Sequence, residues 1–395
     1  MPAMSERRYD VDWLRVFAIL VVFYFHNARF FNNESWHIKN AQTSFGMTVF
    51  VAFTDVWIMP LFVILSGMAS GLALSFRSSG EYALERVKRL IVPLVFGMLV
   101  IVPPQVYLER LNRSQFHGSY WQFYPHFFSG VYPTGNFSWH HLWFLTYLFA
   151  FSMVALPLFS YLRGETGRRA VARLASWLDG RRGLLLLAVP PLLPAIFQAA
   201  LLPIFHGMQT LVTDWARFLA FLALFVYGYL LVSDARLGRA LQRCWGVALA
   251  LGVCLTVVLA FILINHDPGL SYSPASIGFR VVASFNTWFW LVAILGAGRR
   301  FLSFNRPILR YANEAVLPFY VLHQTVIIMI GYYVVKWHTG IPQKYLFIST
   351  TALIATLLAY DLLVRRTNVT RFLFGMKVKR SERQPDMLTQ RTMSP

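Results

Sequence analysis

Ten apolar runs, each close to twenty residues, punctuate this chain: 13–31, 49–75, 90–108, 141–161, 183–205, 215–233, 245–265, 277–298, 315–335 and 345–364. A helix rises about 1.5 Å per residue, so about twenty residues cross a hydrocarbon core about 30 Å thick. In lipid every backbone N–H and C=O needs an internal partner, and a helix supplies it within one segment. The expected fold is all-α: a polytopic membrane bundle of about ten transmembrane helices. One membrane-embedded unit covers 10–375, and 376–395 reads as a disordered basic cytoplasmic tail. Composition agrees, with 57% of the residues hydrophobic and 13% charged, about half the charged share of a soluble domain. Pro60, Pro93, Pro103, Pro190 and Pro318 lie inside runs and predict kinks. "VPPLLP" at 189–194 makes the fifth span the least regular.

The net charge of +19 suggests nucleic acid only until its distribution is read. With the N-terminus inside, 27 of the 36 Lys and Arg fall in cytoplasmic segments and 6 in outer ones. Basic residues concentrate on the cytoplasmic side of membrane proteins. Both termini are therefore expected in the cytoplasm, and nucleic acid is not an expected partner. The first run contains Arg15 and lacks a small-residue cleavage site, so it reads as a retained span rather than a signal peptide. Cys244, at the edge of the seventh run, and Cys254, within it, fall on different helix faces of one apolar stretch and read as packing residues. No internal repeat and no second soluble domain stand out.

Polar residues inside the spans narrow the function. Arg15 and His26 are eleven residues apart, three turns plus about 20°, so they share one helix face about 16 Å apart along the axis. Arg15 falls near the cytoplasmic boundary and His26 past the midplane. Asp12, three residues before Arg15, is in reach of it. The plainer reading of Arg15 is snorkelling to headgroups, and of His26 an interhelical hydrogen bond. Intramembrane ionisable groups also mark cavities and substrate paths. Asp55, in the second span at the depth of His26, offers a partner that would fix its imidazole tautomer; alternatively it is wetted from outside. His323 lies in "LPFYVLHQ" of the ninth span, followed by Gln324. In "ERVKRLIVP", Arg86 and Arg89 share a face, either as topology charges or as a phosphate site beside Arg15. Eight of the ten histidines fall in outer loops or at their edges. The outer segment 109–140 is rich in Tyr, Trp, Phe and His, residues that stack on sugars and also populate membrane interfaces.

"DWLRVFAILVVFYFH", "PLFVILSG", "ERVKRLIVP", "HLWFL" and "PFYVLHQ" occur in order along 10–375. Together they resemble the acyltransferase family 3 membrane proteins, in particular the branch of the glucan biosynthesis protein C type. The resemblance implies transfer of an acyl group from cytoplasmic acyl-CoA, acetyl-CoA or succinyl-CoA, to an extracytoplasmic carbohydrate hydroxyl. It implies His26 as the catalytic histidine, Arg15 as its partner on the first span, and Arg86 and Arg89 as contacts to the CoA phosphates. His323 matches the ninth-span histidine. The expected partners are acyl-CoA, a carbohydrate acceptor and membrane lipids, in the inner (cytoplasmic) cell membrane. Ser66, Gln324 and Tyr320 are candidate oxyanion donors. No metal is expected: HExxH is absent, and the adjacent His140 and His141 cannot face one site if helical. Two other classes fit the same polar groups. One is a transporter or flippase for a carbohydrate or lipid-linked sugar; the other is a scaffolding subunit whose histidines only join helices.

Overall fold

A computed structural model describes residues 7–379, the side chain of Arg181 excepted, and contains ten helices long and apolar enough to cross a membrane. They are α1 (Tyr9–Ala28), α2 (Phe45–Leu74), α3 (Ser79–Asn112), α4 (His140–Arg163), α5 (Arg182–Leu201), α6 (Trp215–Ser233), α7 (Ala235–Asn265), α8 (Pro274–Phe301), α9 (Pro307–Val334) and α10 (Ile341–Val364). Each expected run lies within one of them or overlaps nearly all of it. No β-strand occurs among the described residues, only an isolated bridge from Val131 to Phe137. Most of the expected tail, 380–395, lies outside the described residues. Its first part packs: Met376 is buried, and Arg89 Nε donates to Gly375 O at 3.2 Å.

Proline sets the irregularities, and neighbouring helices repair them. A proline cannot donate to the carbonyl four residues back, and lipid offers no substitute. Pro60 frees Val56 O, where α2 breaks; Thr287 Oγ1 of α8 donates to it at 3.0 Å. Pro103 frees Leu99 O, which accepts from the Tyr124 hydroxyl at 3.0 Å. Pro190 frees Leu186 O, which accepts from Trp288 Nε1 at 2.7 Å. The fifth span is indeed interrupted, at Val189–Pro191. Before two of its prolines α3 widens into single π-helical turns at Val87–Ile91 and Gly97–Ile101, as expected where the regular ladder is broken. Its start is secured by a capping box, with Ser78 Oγ accepting from Glu81 N at 3.2 Å and Glu81 Oε2 accepting from Ser78 N at 2.8 Å.

Close backbone approach fixes α2 against α6. A Cβ on Gly67 would lie 1.9 Å from Phe225 O, and one on Gly228 would lie 2.1 Å from Ile64 O. Only glycine allows this contact, the small-residue packing common between membrane helices. Around it, Phe151, Phe159, Phe225 and Tyr229 form a stacked aromatic core. α1 packs against both α2 and α9, and α1 and α9 carry His26 and His323.

Candidate active site

His26 of α1 meets His323 of α9: Nδ1 of the first lies 3.0 Å from Nε2 of the second. The helix backbone sets the tautomers. His323 Nδ1 is 2.7 Å from Tyr320 O and 3.2 Å from Phe319 O, so it carries a proton and donates. Its Nε2 is then a lone pair, and His26 Nδ1–H donates to it. This leaves His26 Nε2 as an unprotonated nitrogen, the form a general base needs. His323 is fully buried, whereas His26 is partly accessible and lines a large cavity.

Behind His323 the polar groups form a closed network. Gln324 Nε2 donates to Gln105 Oε1 at 3.0 Å, and Gln105 Nε2 donates to Thr325 Oγ1 at 2.6 Å. His141 Nε2 donates to Val321 O at 3.1 Å, and its ring meets that of His323 edge-on at 5.5 Å. Buried polar groups of this kind hold their neighbours in place once all are satisfied.

The cavity has a volume of about 1140 Å³ and runs between two chemically different ends. One end is basic, lined by Arg7, Arg8, Arg15, Arg77, Arg86 and Arg89. Among the described residues Arg15 makes no hydrogen bond or ion pair. Arg86 lies over the Tyr82 ring at 4.5 Å, with its Nε buried and unpartnered. Arg89 is tied to Gly375 O and to Glu85 at 3.6 Å. Arg86 Nη2 also reaches Ser70 Oγ at 3.5 Å, so Arg15 is the unpartnered guanidinium of the three, and clustered, partly desolvated guanidinium groups are suited to phosphate. The other end is aromatic. Trp36 is near-parallel to His26 at 6.3 Å, and Tyr132, Trp139 and His140 continue the wall. Tyr132 lies outside the spans; burial and the adjacent Glu109 carboxylate push its pKa up to about 12, so it stays a donor. Its hydroxyl donates to Glu109 Oε1 at 3.2 Å. His140 holds a left-handed backbone conformation, φ 42°; its ring lies by Ser138 and Glu109, whereas that of His141 bonds Val321 O.

A family model described as an acyltransferase domain matches residues 8–365. The chain belongs to acyltransferase family 3. The glucans biosynthesis protein C of Salmonella paratyphi B is 22% identical over 341 residues, covering 84% of this chain and 85% of that protein. The same-named protein of Salmonella schwarzengrund is 23% identical over 341 residues with the same coverage. No solved structure matches. This multi-pass membrane acyltransferase thus combines a family assignment with a cavity that its own geometry explains.

Several residues read from the acyltransferase's sequence converge. Arg15, His26, Asp55, Arg86 and Arg89 all line the one cavity, as do Ser66, Tyr320 and Gln324. His323 joins them through its bond to His26. Two pairings differ from expectation. Asp55 is an exposed residue of the cavity wall with no hydrogen bond among the described residues, and His323 holds the Nδ1 of His26 in its place. Asp55 shares the cavity wall with His26, but a position along the span says nothing of azimuth. Asp12 does not pair with Arg15; it binds Arg7 at 2.9 Å and Asn313 at 2.9 Å. The Tyr320 hydroxyl is committed to His141 O. Sequence reasoning passed over Gln105, His37 and Glu109. The signal for Gln105 was available: it is an amide beside two prolines inside an apolar run.

Proposed function

We propose that the protein transfers an acyl group, acetyl or succinyl, from acyl-CoA to a hydroxyl of a carbohydrate on the opposite side of the membrane. The observation carrying this reading is that one cavity joins the guanidinium groups of Arg15, which has no partner among the described residues, and Arg86, whose Nε has none, to the Nε2 of His26. Phosphates of CoA sit among Arg15, Arg86 and Arg89, with Arg77 and Lys377 on the same wall. The pantetheine arm extends up the cavity and brings the thioester to His26. The acceptor enters past Trp36, Tyr132 and Trp139, whose faces suit a sugar ring.

The acceptor hydroxyl oxygen attacks the thioester carbonyl carbon while His26 Nε2 takes its proton. The tetrahedral oxyanion collapses, the C–S bond breaks, and the imidazolium returns the proton to the thiolate sulfur. An ester and free CoA leave. Direct transfer is supported by the surroundings of His26: no serine or cysteine hydrogen-bonds it among the described residues, and neither Cys244 nor Cys254 lines the cavity. Of the candidate oxyanion donors, Ser66 lines the cavity with no side-chain hydrogen bond among the described residues, whereas Gln324 Nε2 is already engaged by Gln105 Oε1 and His37 Nε2. His26 is the catalytic residue in this reading and His323 positions it. The 27-to-6 basic asymmetry supports cytoplasmic termini in an inner membrane, with the arginine end facing the donor pool.

The test is CoA release by the purified protein supplied with acetyl-CoA or succinyl-CoA and an oligoglucan. His26→Ala should abolish release while the protein remains in the membrane at normal abundance. Substrate movement without thiol release would instead identify a transporter.

A further inference from the structure

Three side chains from separate segments meet at the aromatic end. His37 lies in the connection after α1, Glu109 in the last turn of α3, and His140 at the start of α4. Each offers one ligand atom, and the three atoms lie within 4.8 Å of one another. Glu109 is 0% exposed and His140 is 7% exposed. Glu109 Oε2 is 2.5 Å from His37 Nδ1, while Oε1 is held by Arg113 at 3.1 Å and by the Tyr132 hydroxyl at 3.2 Å. The His37 and His140 rings stack at 4.6 Å. Ser138 Oγ holds His140 Nδ1 at 2.8 Å, yet His140 Nε2 is buried with no partner among the described residues. A buried ring nitrogen without a partner is rare and calls for an explanation.

Two imidazoles and one carboxylate form a three-ligand set for a transition-type divalent ion, with a fourth position open. Arg113 on the carboxylate and Arg110 nearby oppose a hard cation held by charge alone. Imidazole nitrogens bond zinc-class ions directly, so the set favours these over calcium or magnesium. We propose that His37, Glu109 and His140 bind one zinc-class divalent ion at the aromatic mouth of the cavity. The ion takes the place of the proton between His37 Nδ1 and Glu109 Oε2 and engages the free nitrogen of His140. The stacked imidazoles splay about their χ2 bonds to point both lone pairs at it. Arg113 and Tyr132 stay on Oε1 and orient the carboxylate from behind. His37 and His140 also line the cavity, so the open position faces the route to His26. Trp36 bridges the two, 5.3 Å from His37 and 6.3 Å from His26. A hydroxyl or water entering the site would occupy that position. The inference concerns binding alone and stands or falls independently of acyl transfer.

The test uses the full-length protein in detergent micelles, stripped with chelator and without donor or acceptor. Zinc chloride is titrated in competition with a chromogenic chelator, and cobalt(II) is followed by its visible absorption. The expected result is one ion per chain and a tetrahedral cobalt band. His140→Gln and His37→Gln should each weaken binding about tenfold or more and remove the band. His117→Gln, at an exposed histidine of the same outer segment, should bind as the parent does. Glu109→Gln breaks a buried ion pair and can fail to fold. The two histidine variants, checked by a single gel-filtration peak, therefore carry the decision. Absence of one-to-one binding by the parent protein overturns the proposal, and so does parental affinity in folded His140→Gln.

Discussion

Replacing His323 by leucine isolates the role of the histidine pair. The substitution removes the 3.0 Å bond to His26 Nδ1 and keeps an apolar side chain in a fully buried position. Loss of one hydrogen bond of about 1.5 kcal/mol sets a floor of about tenfold in rate. Allowing the base to present the wrong tautomer sets a ceiling of about 10⁴-fold, the cost of a misplaced proton in serine-protease triads. His26 keeps its helix position and loses only its lock, so we expect kcat to fall about 10²- to 10³-fold, equivalent to about 2.7–4.1 kcal/mol. KM for acyl-CoA should change less than about threefold, because Arg15, proposed to hold the donor phosphates, lies about 16 Å away along the helix. His323→Gln places an amide oxygen where Nε2 was. It can accept from His26 Nδ1–H and should recover part of the loss. The assay is thiol release at saturating acceptor over a range of donor concentrations, with thermal unfolding run on each variant. A leucine variant within about threefold of the parent kcat would refute the tautomer argument. So would a loss confined to KM, or a glutamine variant no better than leucine at equal stability.

Other perturbations test the donor end and the scaffold. Arg86→Ala combined with Arg89→Ala should raise KM for acyl-CoA about tenfold or more, as lost charge-assisted phosphate contacts predict. KM for the acceptor should stay within about twofold, and unchanged donor dependence would reduce this basic turn to a topology signal. Gly228→Ala puts a methyl 2.1 Å from Ile64 O and 2.9 Å from Met68 N. Overpacking of this kind costs about 1–3 kcal/mol, so the melting temperature should drop by several degrees; an unchanged value would mean that α2 and α6 separate freely.

Apolar runs of about twenty residues can satisfy their backbone in lipid only as helices, which is why all ten spans were legible. Proline positions were equally informative, since the same chemistry that removes a donor also fixes where the helix yields. The pairing of side chains across helices was not. His26 and His323 are separated by 297 residues, and an apolar pattern gives depth in the membrane but neither helix order nor rotation. Asp55 shows the consequence: it lies in the wall of the same cavity as His26, without a hydrogen bond to the imidazole. His140 and His141 illustrate a second limit. Their separation was expected only if both were helical; His140 instead has a left-handed backbone, φ 42°, and its ring lies by Glu109, and no local signal marks that turn. Glu109 itself was assigned to an outer loop, whereas α3 continues to Asn112.

The choice of a histidine rather than an aspartate behind His26 has an energetic logic. A carboxylate in the position of His323, which is 0% exposed, would carry an uncompensated charge inside the bundle, a cost of several kcal/mol even after relaxation. A second imidazole orients the first through a neutral hydrogen bond and adds no charge to the resting state. The cost falls on the reaction instead. In the proposed mechanism His26 accepts a proton with no anion behind it among the described residues to stabilise the imidazolium, in contrast to an aspartate-backed base. Such a base suits a substrate that needs only modest activation, and a thioester carbonyl attacked by a well-placed hydroxyl is one. The proton is then held only until the thiolate leaves, and the developing negative charge on the substrate supplies the counter-ion that the protein withholds. Rate in the proposed mechanism would come mainly from placement: the arginines would anchor one end of the donor, the cavity would set the reach of its arm, and the histidine pair would fix one lone pair at its far end.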